Sequence, residues 1–451
     1  MSSIVEVIAR TAQSFTGQLL QPADHGYDDR RRVHNGLIDK RPAVIACCHN
    51  VADVVDAVQM ARALGLDVSV RGGGHNVAGR AAIDHGLMID LSPMKGIYVD
   101  TRGRTARAQG GVLWKELNRE TQLHGLATTG GVVGSTGIAG LTLGGGLGWL
   151  MPKYGLALDN LRSAELVLAD GTVGRASADE NPDLFWAIRG GGGNFGIAAS
   201  LEYTLHPVGP MITGGVVVHP FPRALDVLRF FRDTCASLPD ETMLVAALQT
   251  APDGARVAAI VGSHCGSLEA GEAAFRPIKA FGSPVMDVLG PIPYATLNGM
   301  IDSAFPRGAL NYWKAQFLTD LTDDAIRAIV AGFESCPSPM SAIILEHFHG
   351  AASRVPVTAT ACTMRVTGFN VVIASQWMSP AESDRGIRWA RETFASLTPY
   401  LSTTRYVNYL EDDAPDPAAV AYGPNLTRLR EIKTKYDPGN LFRQNVNILP
   451  A

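Results

Sequence analysis

The sequence predicts a chain in two parts that mixes helix and strand throughout, its second part an α+β domain. Three observations lead there. Up to about Pro210, short apolar strand patterns alternate with segments of helical spacing. From about Pro210 to about Pro399 strand candidates alternate with helices, as in an antiparallel sheet with helices over it. The length of 451 residues suits two to three domains at roughly 150 residues each.

The elements follow in order. "AVIACC" is a short apolar strand whose adjacent Cys47 and Cys48 point to opposite faces. "NVADVVDAVQMARALGL" is a helix: Asn50 is its candidate N-cap, Asp53 sits at the capping-box position, and Val51, Val54, Val55, Val58 and Ala61 have helical spacing. The strand "DVSV" delivers the chain into "RGGGH", and "LMIDLS" and "GIYVD" are two more strands. "VLWKELNRETQLHG" is a helix, and "AELVLADGTVGRAS" is a hairpin with Asp170-Gly171 at its turn. "NPDLFWAIRG" is a short helix capped by Asn181 with Pro182 at its first position, and "GIAASLEYTLHPV" is a long strand. In the second part "GGVVVHPF", "MLVAALQT", "RVAAIVGSHC", "SAIILEHFHG" and "FNVVIASQW" are strands. "PRALDVLRFFRDTCASL" and "AESDRGIRWARETFASL" are helices among them. The last fifty residues carry "TRYVNYLEDD", a charged helix "PNLTRLREIKTKY" and "DPGNLFRQNVNILP".

The composition, 46% hydrophobic and 18% charged, is that of a globular chain with a sizeable core. A net charge of −4 gives no electrostatic case for nucleic acid or an anionic membrane surface. "MSSIVEVIARTAQSF" lacks the apolar run of a secretory signal, and no such run follows "DDRRRV". The uncharged stretch Gly125–Met151 is studded with glycine and reads as loop rather than as a spanning helix. A soluble, cytoplasmic protein is expected. The six cysteines form no CxxC pair and no metal spacing, so reduced, structural thiols and no metal are expected.

Three motifs carry chemistry. "GGGNFG", Gly191–Gly196, spells a dinucleotide fingerprint, but a helix precedes it and a strand follows, which inverts the order that the fingerprint needs. Nine glycines fall between Gly130 and Gly148. Each costs roughly 0.5–1 kcal/mol in a regular element, so the density points to backbone held against a ligand. No Walker lysine is present. His75 follows Gly72, Gly73 and Gly74 at a strand exit, with no second histidine at metal spacing, and neutral imidazole there suits a nucleophile toward a bound cofactor.

"RGGGHNVAG", "GGVVGSTGIAGLTLGGGLGWL", "KYGLALDNL", "LFWAIRGGGGNFGI" and "YDPGNLFRQNVNI" occur together and in this order. With them the chain resembles the FAD-linked oxidases of the berberine-bridge-enzyme type, in the vanillyl-alcohol-oxidase superfamily, over nearly its whole length. It is most like bacterial members of the 6-hydroxynicotine oxidase type. The resemblance implies a PCMH-type FAD-binding domain in two pieces, residues 1–207 and 400–451, around a substrate domain, 208–399, with an antiparallel sheet covered by helices. It implies FAD bonded through its 8α-methyl carbon to His75. Gly72, Gly73 and Gly74, and the amides of Gly134, Ser135, Thr136 and Gly137, would then meet the pyrophosphate, with Arg71, Asn76 and Gly130 beside them. Gly140, Leu141, Gly145, Gly146, Asn194, Gly196 and Ile197 would contact flavin or adenosine, and Asn447 would close the site. Val133 stands where many relatives carry a second, cysteinyl link, so a single link is expected.

The resemblance further implies removal of hydride from a C–H next to O or N, with molecular oxygen reduced to hydrogen peroxide. Thr136 and Leu141 fall beside the flavin where oxygen access is controlled, and the small Thr136 favours an oxidase. A base is needed where a hydroxyl or phenol loses its proton. Tyr409 is the first choice, Tyr406 the second, with Asn408 beside them in "RYVNYLED". Read as a strand, this segment puts Tyr406 and Asn408 on one face and Tyr409 on the other. Glu346 is a carboxylate candidate, weighed evenly against a solvated strand residue, and Tyr154 a candidate for positioning substrate. Sugars, alkaloids, phenols and polyketides all remain open as substrate classes. The alternatives are a dehydrogenase of the same fold with another acceptor, and a non-catalytic flavin carrier.

Overall fold

A computed structural model of the chain describes residues 4–318, 320–411 and 415–451. The sequence readings at residues 1–3 and at Asp412 and Asp413 lie outside the described residues.

Two sheets build the first part. Gln18–Leu20, Val44–Cys47, Leu87–Asp90 and Val68–Arg71 form a four-stranded sheet in that spatial order, the last three strands parallel. Val51–Leu64 is the helix expected. Asn50 Oδ1 accepts the Asp53 N–H at 3.0 Å, and Val54, Ala57, Val58 and Ala61 are buried on its inner face. Asp53 does not close a capping box on Asn50; its carboxylate accepts the backbone N–H groups of Thr16 and His49, which fastens the helix to the preceding chain. Cys47 and Cys48 face different cores, and all six cysteines are buried free thiols.

The second sheet has five antiparallel strands, Ile97–Asp100, Thr105–Gln109, Ile197–Thr204, Leu161–Val167 and Val173–Ser177. The last two make the expected hairpin, with Gly171 at φ 88°. Asn181 precedes helix Pro182–Ile188 but makes no cap: its Nδ2 donates to the Arg175 carbonyl instead. The stretch Gly125–Met151 is not all loop, since Ile138–Gly144 is a helix. From the far end of the chain, Tyr422, Leu429, Ile432, Val446 and Ile448 enter the same core as Leu166 and Leu201.

In the second part, Met286–Asp287, Met211–Pro220, Arg256–His264, Thr242–Thr250, Ala342–Phe348, Gly368–Trp377 and Leu310–Leu318 lie side by side, with Gly290–Pro293 also paired to Met211–Pro220. All neighbours are antiparallel. The strand Leu310–Leu318 is not among those read from the sequence. Side chains alternate across the sheet. Leu244, Ile260, Ile343, Leu345 and Ile373 pack under the helices through Phe231, Ile329, Phe333 and Trp389, each such side chain contributing about 1.5–3 kcal/mol by its burial. Met243, Val245 and Val261 face the other way, onto Leu147, Trp149, Met151 and Tyr406. One face of the sheet thus carries helices, and the other rests on the glycine-rich segment of the first part. The architecture is the α+β arrangement expected. Among the described residues no helix is long and apolar enough to cross a membrane.

Candidate active site

Where the strand bearing Trp313 meets the glycine loops there is a cleft, partly open to solvent. One wall is backbone. Arg71 does not line it: its guanidinium turns away to Asp90, with Nε 2.8 Å from Oδ1, and joins the ends of two parallel strands. That anchor starts the loop Gly72–Asn76, which does line the cleft. The loop touches the second glycine segment back to back. A Cβ on Gly73 would fall 2.3 Å from the Gly137 nitrogen, so only glycine permits the approach. Gly140 is the opposite case: a Cβ there would meet nothing within 4 Å, because its open side faces the cleft. Val133, Thr136, Gly137, Leu141, Gly196 and Ile197 complete this wall.

His75 stands at the edge of the glycine wall. Its Nε2 is buried and has no hydrogen-bond partner. Burial, with His34 next to it, pushes the imidazole down to about 3, so it is neutral at pH 7. The same cause, with Arg307 adding to it, brings His34 to about 4.

The opposite wall carries the side chains. Val407–Tyr409 is a single 3-10 turn, not a strand. Side chains three apart share a side of such a turn, so Tyr406 and Tyr409 both line the cleft, their rings 4.9 Å apart. The expectation that they face opposite ways is corrected. The Tyr406 hydroxyl accepts the Gly146 N–H at 3.0 Å and Asn408 Nδ2 at 2.8 Å, which ties it to the glycine segment. Asn76 Nδ2 donates to the Asn408 carbonyl at 3.2 Å. Tyr409 donates its hydroxyl to Glu346 Oε1 at 3.2 Å, and Asn370 Nδ2 donates to Oε2 at 2.7 Å. Glu346 is 5% exposed, not solvated; burial pushes its carboxyl up to about 7 against the pull of those two hydrogen bonds. Burial and the facing carboxylate drive the Tyr409 phenol well above 10. That argues against Tyr409 as a base acting alone.

Several expected residues serve the cleft from behind. A Cβ on Gly130 would enter the Trp114 ring, and the Gly134 N–H donates to Asp302 at 2.6 Å. Ser135 is absent from the lining, and Gly145 and Gly146 back onto Tyr406 and Ala157. Asn194 Nδ2 is bonded to the carbonyls of Gly191 and Val446 and the Tyr422 hydroxyl, so it ties two loops together rather than meeting a ligand. Asn447 lies outside the lining, where Gln444, Asn445 and Val446 take its place. Tyr154 is away from the cleft, stacked on His206 at 3.9 Å. The sequence reading missed Trp313, Arg80 and Tyr422 in the lining and Asn370 behind it. Trp313 sits on the unread strand, and Asn370 follows from the register that pairs it with Glu346. Among the described residues no three His, Cys, Asp or Glu side chains form a metal-binding group.

Residues 42–177 match the family model of an FAD binding domain, and residues 405–449 the model described as berberine and berberine like. The chain is 33% identical to an FAD-linked oxidoreductase of Dictyostelium discoideum, over 99% of this chain and 97% of that one. It superposes on the crystal structure of 6-hydroxy-D-nicotine oxidase from Arthrobacter nicotinovorans with a TM-score of 0.89 and 30% identity, over 97% and 98% of the two chains. A glucooligosaccharide oxidase from Acremonium strictum, described as having a novel flavinylation, matches with a TM-score of 0.87 and 25% identity, over 99% and 98%.

Proposed function

The chain belongs to the berberine and berberine-like family of FAD-linked oxidoreductases, and from that premise we propose that it is an oxidase with FAD held by one covalent bond to His75. The residues fit the cofactor. The bare face at Gly140 and the amides of Gly72–Gly74 leave room and N–H donors for a planar ring and a pyrophosphate. The orphaned His75 Nε2 is a neutral nucleophile at the rim, and Val133 offers no thiol for a second bond. Bound FAD supplies the acceptor for a hydride from a C–H next to O or N, and its reoxidation by dioxygen yields hydrogen peroxide.

The chain's own side chains manage the proton. Tyr409 faces the cleft and its hydroxyl is already bonded to Glu346. As the substrate O–H or N–H gives its proton to the Tyr409 oxygen, the phenol passes its own proton to Glu346. A carboxylate near 7 is matched to that task at neutral pH, and no free phenolate forms. Asn370 holds the second carboxylate oxygen, and Tyr406 and Asn408 hold the turn. Thr136 and Leu141 line the cleft, and the family resemblance gives them the control of oxygen access. The substrate is a small organic molecule with an ionisable O–H or N–H.

The observation that carries this reading is one cleft with the unpartnered His75 on one wall and the Tyr409–Glu346 pair on the other. The test is acid precipitation of the purified yellow protein, with intact mass, followed by a screen of phenols, amines and sugars for peroxide. Colour in the pellet, and a mass higher by one FAD less two hydrogens, supports the link. Flavin freed to the supernatant refutes it. Substrate-reduced flavin that persists in air refutes the oxidase assignment.

A further inference from the structure

Resting on the reading of His75 as the flavin-bearing residue, we propose that His34 is a positioning residue for the attachment, a stacking platform that fixes the His75 ring. The two imidazoles lie face to face, centroids 3.9 Å apart and planes 23° from parallel. His34 is 7% exposed and does not line the cleft, so it acts through its neighbour.

The loop that carries His34 grips the chain on both sides of His75. The His34 N–H donates to the Gly74 carbonyl at 2.9 Å, and Asn35 Nδ2 donates to the Val77 carbonyl at 2.8 Å. The second part of the molecule braces the loop from outside. Gly308 N–H donates to the His34 carbonyl at 2.9 Å, and the Asn311 N–H to Asn35 Oδ1 at 2.8 Å. The platform is therefore rigid before any ligand arrives. A stack restrains the ring's rotation yet occupies neither ring nitrogen, and Nε2 stays unpartnered. This is what an attacking imidazole needs, because misplacement by about 1 Å costs on the order of 10² in rate.

In the attachment one N–C bond forms between His75 and the 8α-methyl carbon. One C–H proton and one imidazole N–H proton are released. The two electrons are left on the flavin ring and pass to dioxygen, which becomes hydrogen peroxide with the two protons.

The test follows the covalent fraction in the acid pellet of the full-length protein, sampled at intervals after expression is induced. His34→Ala removes the ring, His34→Leu fills the space without a plane, and His34→Phe keeps a plane without nitrogens. The Ala and Leu variants are expected to attach flavin about 10- to 100-fold more slowly, with total FAD per folded chain unchanged. Phe is expected to restore most of the rate. Attachment by His34→Leu at the wild-type rate overturns the proposal, as does failure of Phe while Leu succeeds. Should Ala fail to fold, the Leu and Phe pair decides alone. Wild-type protein without covalent flavin overturns the reading of His75 and this inference with it; covalent flavin gained at the wild-type rate in all four proteins overturns this inference only.

Discussion

The two walls of the cleft are made of different material. At the glycine wall the ligand meets backbone: Gly73 and Gly137 touch through their main chains, and Gly140 shows a bare flank. At the facing wall it meets side chains: the rings of Tyr406, Tyr409 and Trp313 stand edge to face, with Glu346 behind them. The first wall recognises by shape and by N–H direction. The second carries the Tyr409–Glu346 pair proposed to move a proton. The difference teaches that damage to the two walls has separable signatures: cofactor loss for one, slow chemistry with full cofactor for the other.

The strongest way to break that separation is Glu346→Gln. Flavin reduction by substrate is expected to slow by about 10²–10⁴-fold with FAD content unchanged, since that is the usual weight of a general base. Stopped-flow absorbance reads it, and a near-normal rate would place the base elsewhere. Tyr409→Phe keeps the ring but cuts the relay, for an expected slowing near the lower end, about 10²-fold. If Tyr406→Phe is slow in its place, the proton path runs along the other phenol.

On the glycine wall, Gly73→Ala is expected to act without touching the proton. Its Cβ would lie 2.3 Å from the Gly137 nitrogen, and such overpacking costs typically about 1–3 kcal/mol. A lower thermal midpoint and fewer flavins per chain should result, while any molecules that retain FAD keep their reduction rate. A normal flavin content would show that the two loops part more easily than their contact implies.

The smallest expected effect sharpens the contrast by pH. The base works deprotonated, so the reduction rate rises with pH through about 7, where Glu346 titrates, and Glu346→Gln flattens that limb. Stability runs the other way. The carboxyl ionises near its ordinary 4.5 when unfolded and near 7 when folded, so the fold holds the extra proton between those values and loses stability as pH rises across them. Thermal midpoints from pH 4 to 8 should fall more for wild type than for Glu346→Gln.

The same two materials explain how much was legible in the sequence. The glycine loops and His75 are contiguous strings, so their pattern survives without coordinates. The Tyr409–Glu346 pair joins positions 63 apart through a turn and a sheet register, and neither partner's neighbours announce the other. "RYVNY" was misread because its β-branched and aromatic residues favour a strand, while its packing onto Gly144–Gly146 makes a tight turn. Asn194 and Asn447 fall in loops that do reach the cleft, but Asn194 bonds one loop to the other and Asn447 lies outside the lining. Tyr154 has the right chemistry but lies outside the cleft lining, stacked against His206.

The bond from Asn76 to the Asn408 carbonyl joins residues 332 positions apart. A ribosome adding about 5–20 residues per second takes on the order of tens of seconds to cover that distance. Throughout that interval the nascent chain carries its glycine loops and His75 without the wall that faces them. Closure of the cleft around a cofactor is therefore expected only once the turn at Asn408 has been synthesised.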